Sequence, residues 1–225
     1  MSQIDIPHVS QIQNFIEFWL GSSFFDEGRL QASYEIGSGD SRLIIVTGEN
    51  ATGKSIFGRV LQEGCHWNNS KIECIKISMA FRTRGGIESS FVFGDENKFS
   101  TGAISIGTVL SGVTTSRNRK KQHFMIWDEP DIGLSPGYQA AVGQYFTQYV
   151  SNLPELTVGV AIMTHSQRLL QPLVALHPHH IRMGGDGLLL NQVAFGEIAD
   201  QSIENLETLQ KRSIELLQSL QNLFH

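Results

Sequence analysis

Residues 48–55 read Gly48-Glu49-Asn50-Ala51-Thr52-Gly53-Lys54-Ser55, and the apolar run Leu43-Ile44-Ile45-Val46 leads into them. Two glycines enclosing four residues, followed by Lys-Ser, form the pattern of a loop that cradles phosphate. The glycines let backbone N–H groups curl around a β-phosphate at the positive end of the following helix. Lys54 supplies a point charge and Ser55 a hydroxyl for Mg²⁺. The bland alternative is a glycine-rich turn linking strand to helix; the strand before the loop and the helical pattern after it favour the phosphate reading.

Working outward, the second informative stretch is Phe124-Met125-Ile126-Trp127-Asp128-Glu129-Pro130. Four apolar residues ending in an acid put a carboxylate at the C-terminal end of a buried strand, where ligands bind in open α/β sheets. Asp128 is then expected in the shell of a Mg²⁺, and Glu129 is placed to accept a proton from an attacking water. Read alone, such an acidic pair is a solvated loop start; the phosphate loop upstream gives it a task. Thr164-His165-Ser166 follows the apolar stretch Thr157–Met163, which puts His165 at the same sheet edge, in reach of a γ-phosphate or its attacking water.

The remaining pattern supplies the frame. Helices are predicted over Gln11–Leu20, from Gly53 to about Glu63, over Pro136–Val150 and over about Gln201–Leu223; strands over Leu30–Ile36, Leu43–Thr47, Ile72–Ser78, Phe124–Trp127 and Thr157–Met163. Ser135 caps the third helix, and Tyr138, Val142, Tyr145 and Tyr149 repeat on one side of it. His180–Met183 and Leu188–Val193 read as a closing hairpin around Gly184-Gly185-Asp186-Gly187. Short apolar strands separated by helices indicate an α/β sheet covered on both faces. Ile203, Leu206, Leu209, Ile214, Leu217 and Leu220 form a stripe suited to packing on the domain itself or to holding a partner. The N-terminal aromatics Phe15, Phe18, Trp19, Phe24 and Phe25 are expected mostly in the core.

Composition bounds the class. The chain has 225 residues, 40% hydrophobic and 17% charged, with a net charge of −5, 22 Gly, 6 Pro and 2 Cys. That is enough for one substantial core and too apolar for a disordered chain. No run approaches the length of a membrane helix, and no basic-then-apolar leader opens the chain. Cys65 and Cys74 are too few for a disulfide framework, which leads us to expect reduced thiols and a cytoplasmic location. Mild acidity argues against wholesale nucleic-acid coating. The clusters Arg82-Thr83-Arg84 and Arg117-Asn118-Arg119-Lys120-Lys121 are nonetheless candidate contacts for a nucleic-acid backbone or an acidic partner, against the simpler reading of solvated loops. His177, His179 and His180 read as turn and strand-start residues, since no acid or cysteine completes a metal set.

The order of these motifs from about Leu30 to Val193 resembles the ATP-binding-cassette (ABC) ATPase superfamily, especially stand-alone heads of the SMC and RecF-like or AAA-labelled P-loop type. In that resemblance Gly48–Ser55 corresponds to Walker A and Phe124–Glu129 to Walker B with its following glutamate. Gly133-Leu134-Ser135 corresponds to the D-loop and His165 to the switch histidine. The fold implied is a P-loop NTPase of ABC type, with a mainly parallel central sheet flanked by helices, a short antiparallel β portion and a reduced helical subdomain. The domain implied is a single one over 1–225: an N-terminal helix in 1–29, a nucleotide-binding core in 30–195 and an amphipathic helix in 199–225.

The activity implied is Mg-ATP hydrolysis at a dimer interface, where each head's signature motif completes its partner's site. Phe99-Ser100-Thr101-Gly102-Ala103 is the preferred signature candidate, with Ser100 and Gly102 facing a partner's γ-phosphate; Leu110-Ser111-Gly112 is the other. The chain departs from the family in this motif, in having no glutamine after Ile72–Ser78, and in Ser135 standing where an aspartate is customary. The implied partners are a second copy or a related head, together with a protein or a nucleic acid, and no membrane. Two other readings stay open: a nucleotide-gated binding module with little turnover, and a transporter nucleotide-binding subunit, which the short interval between Lys54 and Ser100 disfavours.

Overall fold

The computed structural model describes residues 14, 16–21, 30–66, 71–78, 100–196 and, near the C-terminus, 211, 214, 215 and 218. In chain order its elements are β1 (Ala32–Glu35), β2 (Leu43–Gly48), α1 (Lys54–Gly64), β3 (Glu73–Ser78), α2 (Thr101–Asn118), β4 (His123–Asp128), α3 (Pro136–Val150), β5 (Thr157–Met163), α4 (Gln167–Val174), β6 (His179–Met183) and α5 (Leu190–Phe195). Among the described residues the strands make one six-stranded sheet in the order β1-β6-β2-β5-β4-β3. β6, β2, β5, β4 and β3 run parallel, while β1 closes one edge antiparallel to β6.

The uninterrupted apolar runs of β2, β4 and β5 follow from this placement. Parallel strands covered on both faces have no solvent side, so every residue of these three is buried. Alternate side chains feed two separate cores. Ile44, Val46, Phe124, Ile126, Ala161 and Met163 meet Phe57, Val60 and Leu61 of α1 on one face. Leu43, Ile45, Met125, Trp127, Val160 and Ile162 meet α2, α3, α4 and α5 on the other. Fully buried side chains such as Phe57 and Leu61 each contribute about 1.5–3 kcal/mol by this burial. Trp127 also meets Phe146 edge to face, with ring centroids 5.0 Å apart.

Several expectations need correction. Leu188–Val193 is not a strand: Leu190–Phe195 is helical, because Leu190, Val193 and Ala194 recur at helical spacing and bury against α4. Gln171 Nε2 donates to Ala194 O at 3.0 Å and ties the two helices. The apolar side of α3 is Val142, Phe146, Tyr149 and Val150, with Tyr138 59% exposed rather than on the stripe. Ser135 begins α3, yet its side chain caps nothing. Phe18 is 64% exposed, whereas Trp19 packs on the core beside the buried Ile16; Phe15, Phe24 and Phe25 lie outside the described residues. Most of 201–223 also lies outside them, although residues 211, 214, 215 and 218 are helical, as are 14 and 16–20 near the other end.

Candidate nucleotide site

Each parallel strand ends at the same edge of the sheet, and there the chemistry-bearing residues collect. β2 delivers the chain into the 48–55 loop. Gly53, at φ 101°, begins α1 in a conformation that L side chains rarely adopt, and a Cβ there would lie 2.5 Å from Leu30 Cδ2. Glycine is therefore required. No side chain caps α1, so its first amides point into the loop as anion-ready donors. Ala51 is also left-handed at φ 59°, and Thr52 Oγ1 donates to Glu49 O at 2.9 Å to hold the curl.

Lys54 is buried, and its ammonium donates to Gly48 O at 2.7 Å and Glu49 O at 2.8 Å. Burial lowers its pKa from the ordinary value, against the opposing fields of Glu129, Glu49 and Asp128. β5 separates β2, which leads into the Lys54 loop, from β4, which ends in Asp128, so those two strands stand about 10 Å apart. Asn50 and Ser55 are solvent-exposed at the rim of the loop.

Asp128 ends β4, level with Ser78 of β3 and Met163 of β5. It is 6% exposed and pairs with Lys76 Nζ at 3.2 Å. Glu129 follows at φ 54°, a strained setting for a glutamate, with its amide donating to Met163 O at 2.9 Å. The turn directs its carboxylate toward His165 beyond β5, where Nδ1 lies 3.6 Å from Oε1. The imidazole beside it holds the Glu129 carboxyl below its ordinary range, and the carboxylate raises the His165 pKa in turn. A proton on His165 and a negative charge on Glu129 thus favour each other.

A buried layer supports this pair. Thr164 Oγ1 donates to Asp131 Oδ1 at 2.7 Å and accepts the Ser166 amide at 2.9 Å, while Ser166 Oγ donates to Gln139 Oε1 at 2.9 Å. Burial pushes the Asp131 carboxyl up despite the Thr164 bond. These bonds join the turn after Glu129 to the segment that carries His165.

Ser100 begins α2, accepting the Ala103 amide on Oγ at 3.3 Å; Ser111 lies exposed within the same helix. The start of α2 packs on the 131–134 turn. A Cβ on Gly102 would stand 3.0 Å from Gly133 O, and Ser105 Oγ donates to Ile132 O at 2.6 Å. Gly133 is left-handed at φ 75°. Among the described residues no hydrogen bond or ion pair joins Ser100 or Gly102 to the 48–55 loop of the same chain. The structure thus gathers Lys54, Asp128, Glu129 and His165 at one edge, and keeps Ser100 and Gly102 with the 131–134 turn.

Three participants escaped the sequence reading. Arg182 is a cation inside β6, and Lys76 stands between the apolar Ile75 and Ile77 inside β3, which is the signal that marks them. Arg182 donates Nε to Asp186 Oδ1 at 2.9 Å and lies 3.6 Å from Glu49, bracing the loop from the β6 side. Asp131 hides among turn residues and gives no such signal. Arg82 and Arg84 lie outside the described residues, as does the chain after Ser78 where the family's glutamine would stand. Both cysteines are free thiols, and the neighbouring Cys74 together with burial pushes the Cys65 thiol up.

Among the described residues no cluster of three His, Cys, Asp or Glu side chains is arranged to hold a metal by itself. The donors at the edge, the Asp128 carboxylate and the Ser55 hydroxyl, are hard oxygens. That set fits a Mg²⁺ that arrives with phosphate oxygens and keeps several waters, rather than an all-protein metal cage. No helix among the described residues is long and apolar enough to cross a membrane.

Fold and site together define an α/β protein with a six-stranded, mostly parallel sheet flanked by helices, consistent with a P-loop NTPase. No protein-family description matches the chain, and no curated protein does. Among solved structures it is similar to Cdc6p from Pyrobaculum aerophilum, at 16% identity and a TM-score of 0.34, over 76% of this chain and 42% of that one. The chain thus spans less than half the length of that structure. At so low a score the class rests on this chain's own strand order and loop.

Proposed function

We propose that the protein is an ATP hydrolase of the ABC type, working in the cytoplasm as a single domain whose two copies close around two Mg·ATP. The observation that carries the reading is the meeting, at one sheet edge, of the Lys54 loop with Asp128, Glu129 and His165. The uncapped amides of α1 and the Lys54 ammonium bind the phosphate oxygens. Mg²⁺, when bound with the nucleotide, neutralises phosphate charge beside Ser55 and Asp128. Glu129, anionic and oriented by its left-handed backbone and by His165, takes the proton of the water that attacks the γ-phosphorus. The bond to the ADP leaving oxygen breaks, and His165 stays within reach of the transferred phosphoryl group. Positioning and charge make up nearly all of this chemistry.

The start of α2 is the surface offered to a second head. Ser100, Gly102 and the neighbouring amides form an anion-compatible helix start that serves no nucleotide in its own chain. Its contact with the 131–134 turn links that surface to Glu129 through a few residues. A partner protein or nucleic acid would feel head closure through the same linkage.

Sedimentation of Glu129→Gln with and without Mg·ATP tests the reading. Turnover falls roughly 10²–10⁴-fold while ATP stays bound, and trapped ATP shifts the variant from monomer to dimer. Ser100→Arg abolishes the shift. A variant that binds ATP and stays monomeric overturns the homodimer, and one that hydrolyses at the parental rate overturns the role of Glu129.

A further inference from the structure

The buried ion pair between Lys76 and Asp128 has no part in the hydrolytic scheme, yet it occupies the carboxylate assigned to the metal. Lys76 lies on β3, one strand beyond β4, and its ammonium sits 3.2 Å from Asp128 Oδ2 with both side chains 7% exposed. The niche is built on three sides. A Cβ on Gly58 of α1 would fall 3.1 Å from the Lys76 Nζ and 2.9 Å from Met163 Cε, so the helix comes close only because residue 58 has no side chain. The ammonium is thereby held between the phosphate-loop helix and the end of β4, away from the apolar core on which Ile75 and Ile77 pack.

A carboxylate this buried is costly to leave without a counter-charge. A fixed ammonium supplies one, and it also subtracts from the negative potential that a divalent cation would meet. Among the described residues no group of three His, Cys, Asp or Glu side chains gathers at Asp128 to restore that potential. Phosphate oxygens do restore it, because they bring several negative charges with them.

We propose that Lys76 is a positioning residue that acts as the resident counter-cation of Asp128, weakening the site for a free divalent ion so that Mg²⁺ enters with nucleotide. The inference rests on the nucleotide reading above for its purpose, although the ion pair itself is independent of turnover. It predicts that Asp128 is kept in its site orientation between catalytic cycles and that metal binding and nucleotide binding are coupled through one lysine.

Mn²⁺ serves as the probe, titrated without nucleotide and read by electron paramagnetic resonance on protein whose fold is checked by circular dichroism. Wild type binds Mn²⁺ weakly; Lys76→Gln, which keeps a donor toward Asp128 but removes the charge, binds about tenfold more tightly or better. Adding Asp128→Asn returns the affinity to the wild-type level. Lys76→Arg keeps the charge and stays within about twofold of wild type; Lys76→Met, which removes the charge at similar volume, carries the test with the same expected gain should Lys76→Gln not fold. An unchanged affinity in folded Lys76→Gln, a gain that survives Asp128→Asn, or a gain in Lys76→Arg overturns the proposal. ATP binding by the wild type is measured alongside: its absence defeats the nucleotide reading while leaving the Mn²⁺ result to report on the ion pair.

Discussion

His180 carries the clearest pH dependence at the scale of a single residue. It is buried on β6 with Nε2 2.8 Å from Thr47 Oγ1 and Nδ1 3.4 Å from Glu35 Oε2. Burial pushes its pKa down to about 4, against Glu35 and Asp186, which oppose the change, while Arg182 adds to it. An unfolded histidine takes up its proton near pH 6.5, so between that pH and about 4 the unfolded state holds more protons than the folded one. Stability from this residue is therefore complete above about pH 6.5 and falls as the pH drops toward 4, at a rate approaching roughly 1.4 kcal/mol per pH step. Urea denaturation at pH 7 and pH 5 should show a smaller loss for His180→Gln than for wild type; an equal loss would assign the acid sensitivity elsewhere. The sequence singled out Lys54, Asp128 and Glu129 through their motifs, and in the fold they follow or end parallel strands of one sheet. Lys76 and Asp131 belong to no motif, and a lysine within a strand or an aspartate in a turn has many ordinary explanations.

At the scale of an element, α2 separates two kinds of glycine. A Cβ on Gly112 would lie 2.3 Å from Trp127 Cη2 and 2.4 Å from Ile77 Cδ1, because the helix rests directly on the indole. Gly107 is exposed on the same helix, with nothing within 4 Å of such a Cβ. Alanine has the higher helix propensity at both places, worth about 1 kcal/mol. Gly107→Ala should accordingly stabilise by up to about that amount, whereas Gly112→Ala should destabilise by about 1–3 kcal/mol through overpacking. Thermal melts of the two variants decide this, and a stabilising Gly112→Ala would mean that α2 does not sit tightly on Trp127. The error over Leu188–Val193 belongs to this scale as well. A short apolar run fits strand or helix by itself, and only the surface of α4 selects the helical face of Leu190, Val193 and Ala194.

At the scale of the whole molecule, the sheet has two unlike edges. The C-terminal ends of the parallel strands carry the candidate nucleotide site, while the 117–121 basic cluster connects α2 to the start of β4 at the other edge. There Arg119 Nε donates to Glu73 Oε2 at 2.6 Å, and Lys121 lies 3.4 Å from the same carboxylate group. Glu73 and His123 are the first residues of their strands, so this charge is a strand length away from Asp128. Exposed charges at that separation are largely screened at physiological salt. Reversing Lys120 and Lys121 to Glu should leave ATP affinity within about twofold in a direct binding titration, and a larger change would show that the two edges communicate.

Local information was enough for the turn that joins β2 to α1, the acid-tipped strand, the extent of α3 and β5, and the α/β class, because each is set by backbone geometry and hydrophobic period within a few residues. Tertiary structure alone decided that β5 lies between the strand leading to the Lys54 loop and the strand ending in Asp128, that β1 pairs with β6, and that Lys76 reaches Asp128 past Gly58. Those facts depend on which strands and helices become neighbours, and pairing energies between segments far apart in the chain are not written in either segment alone.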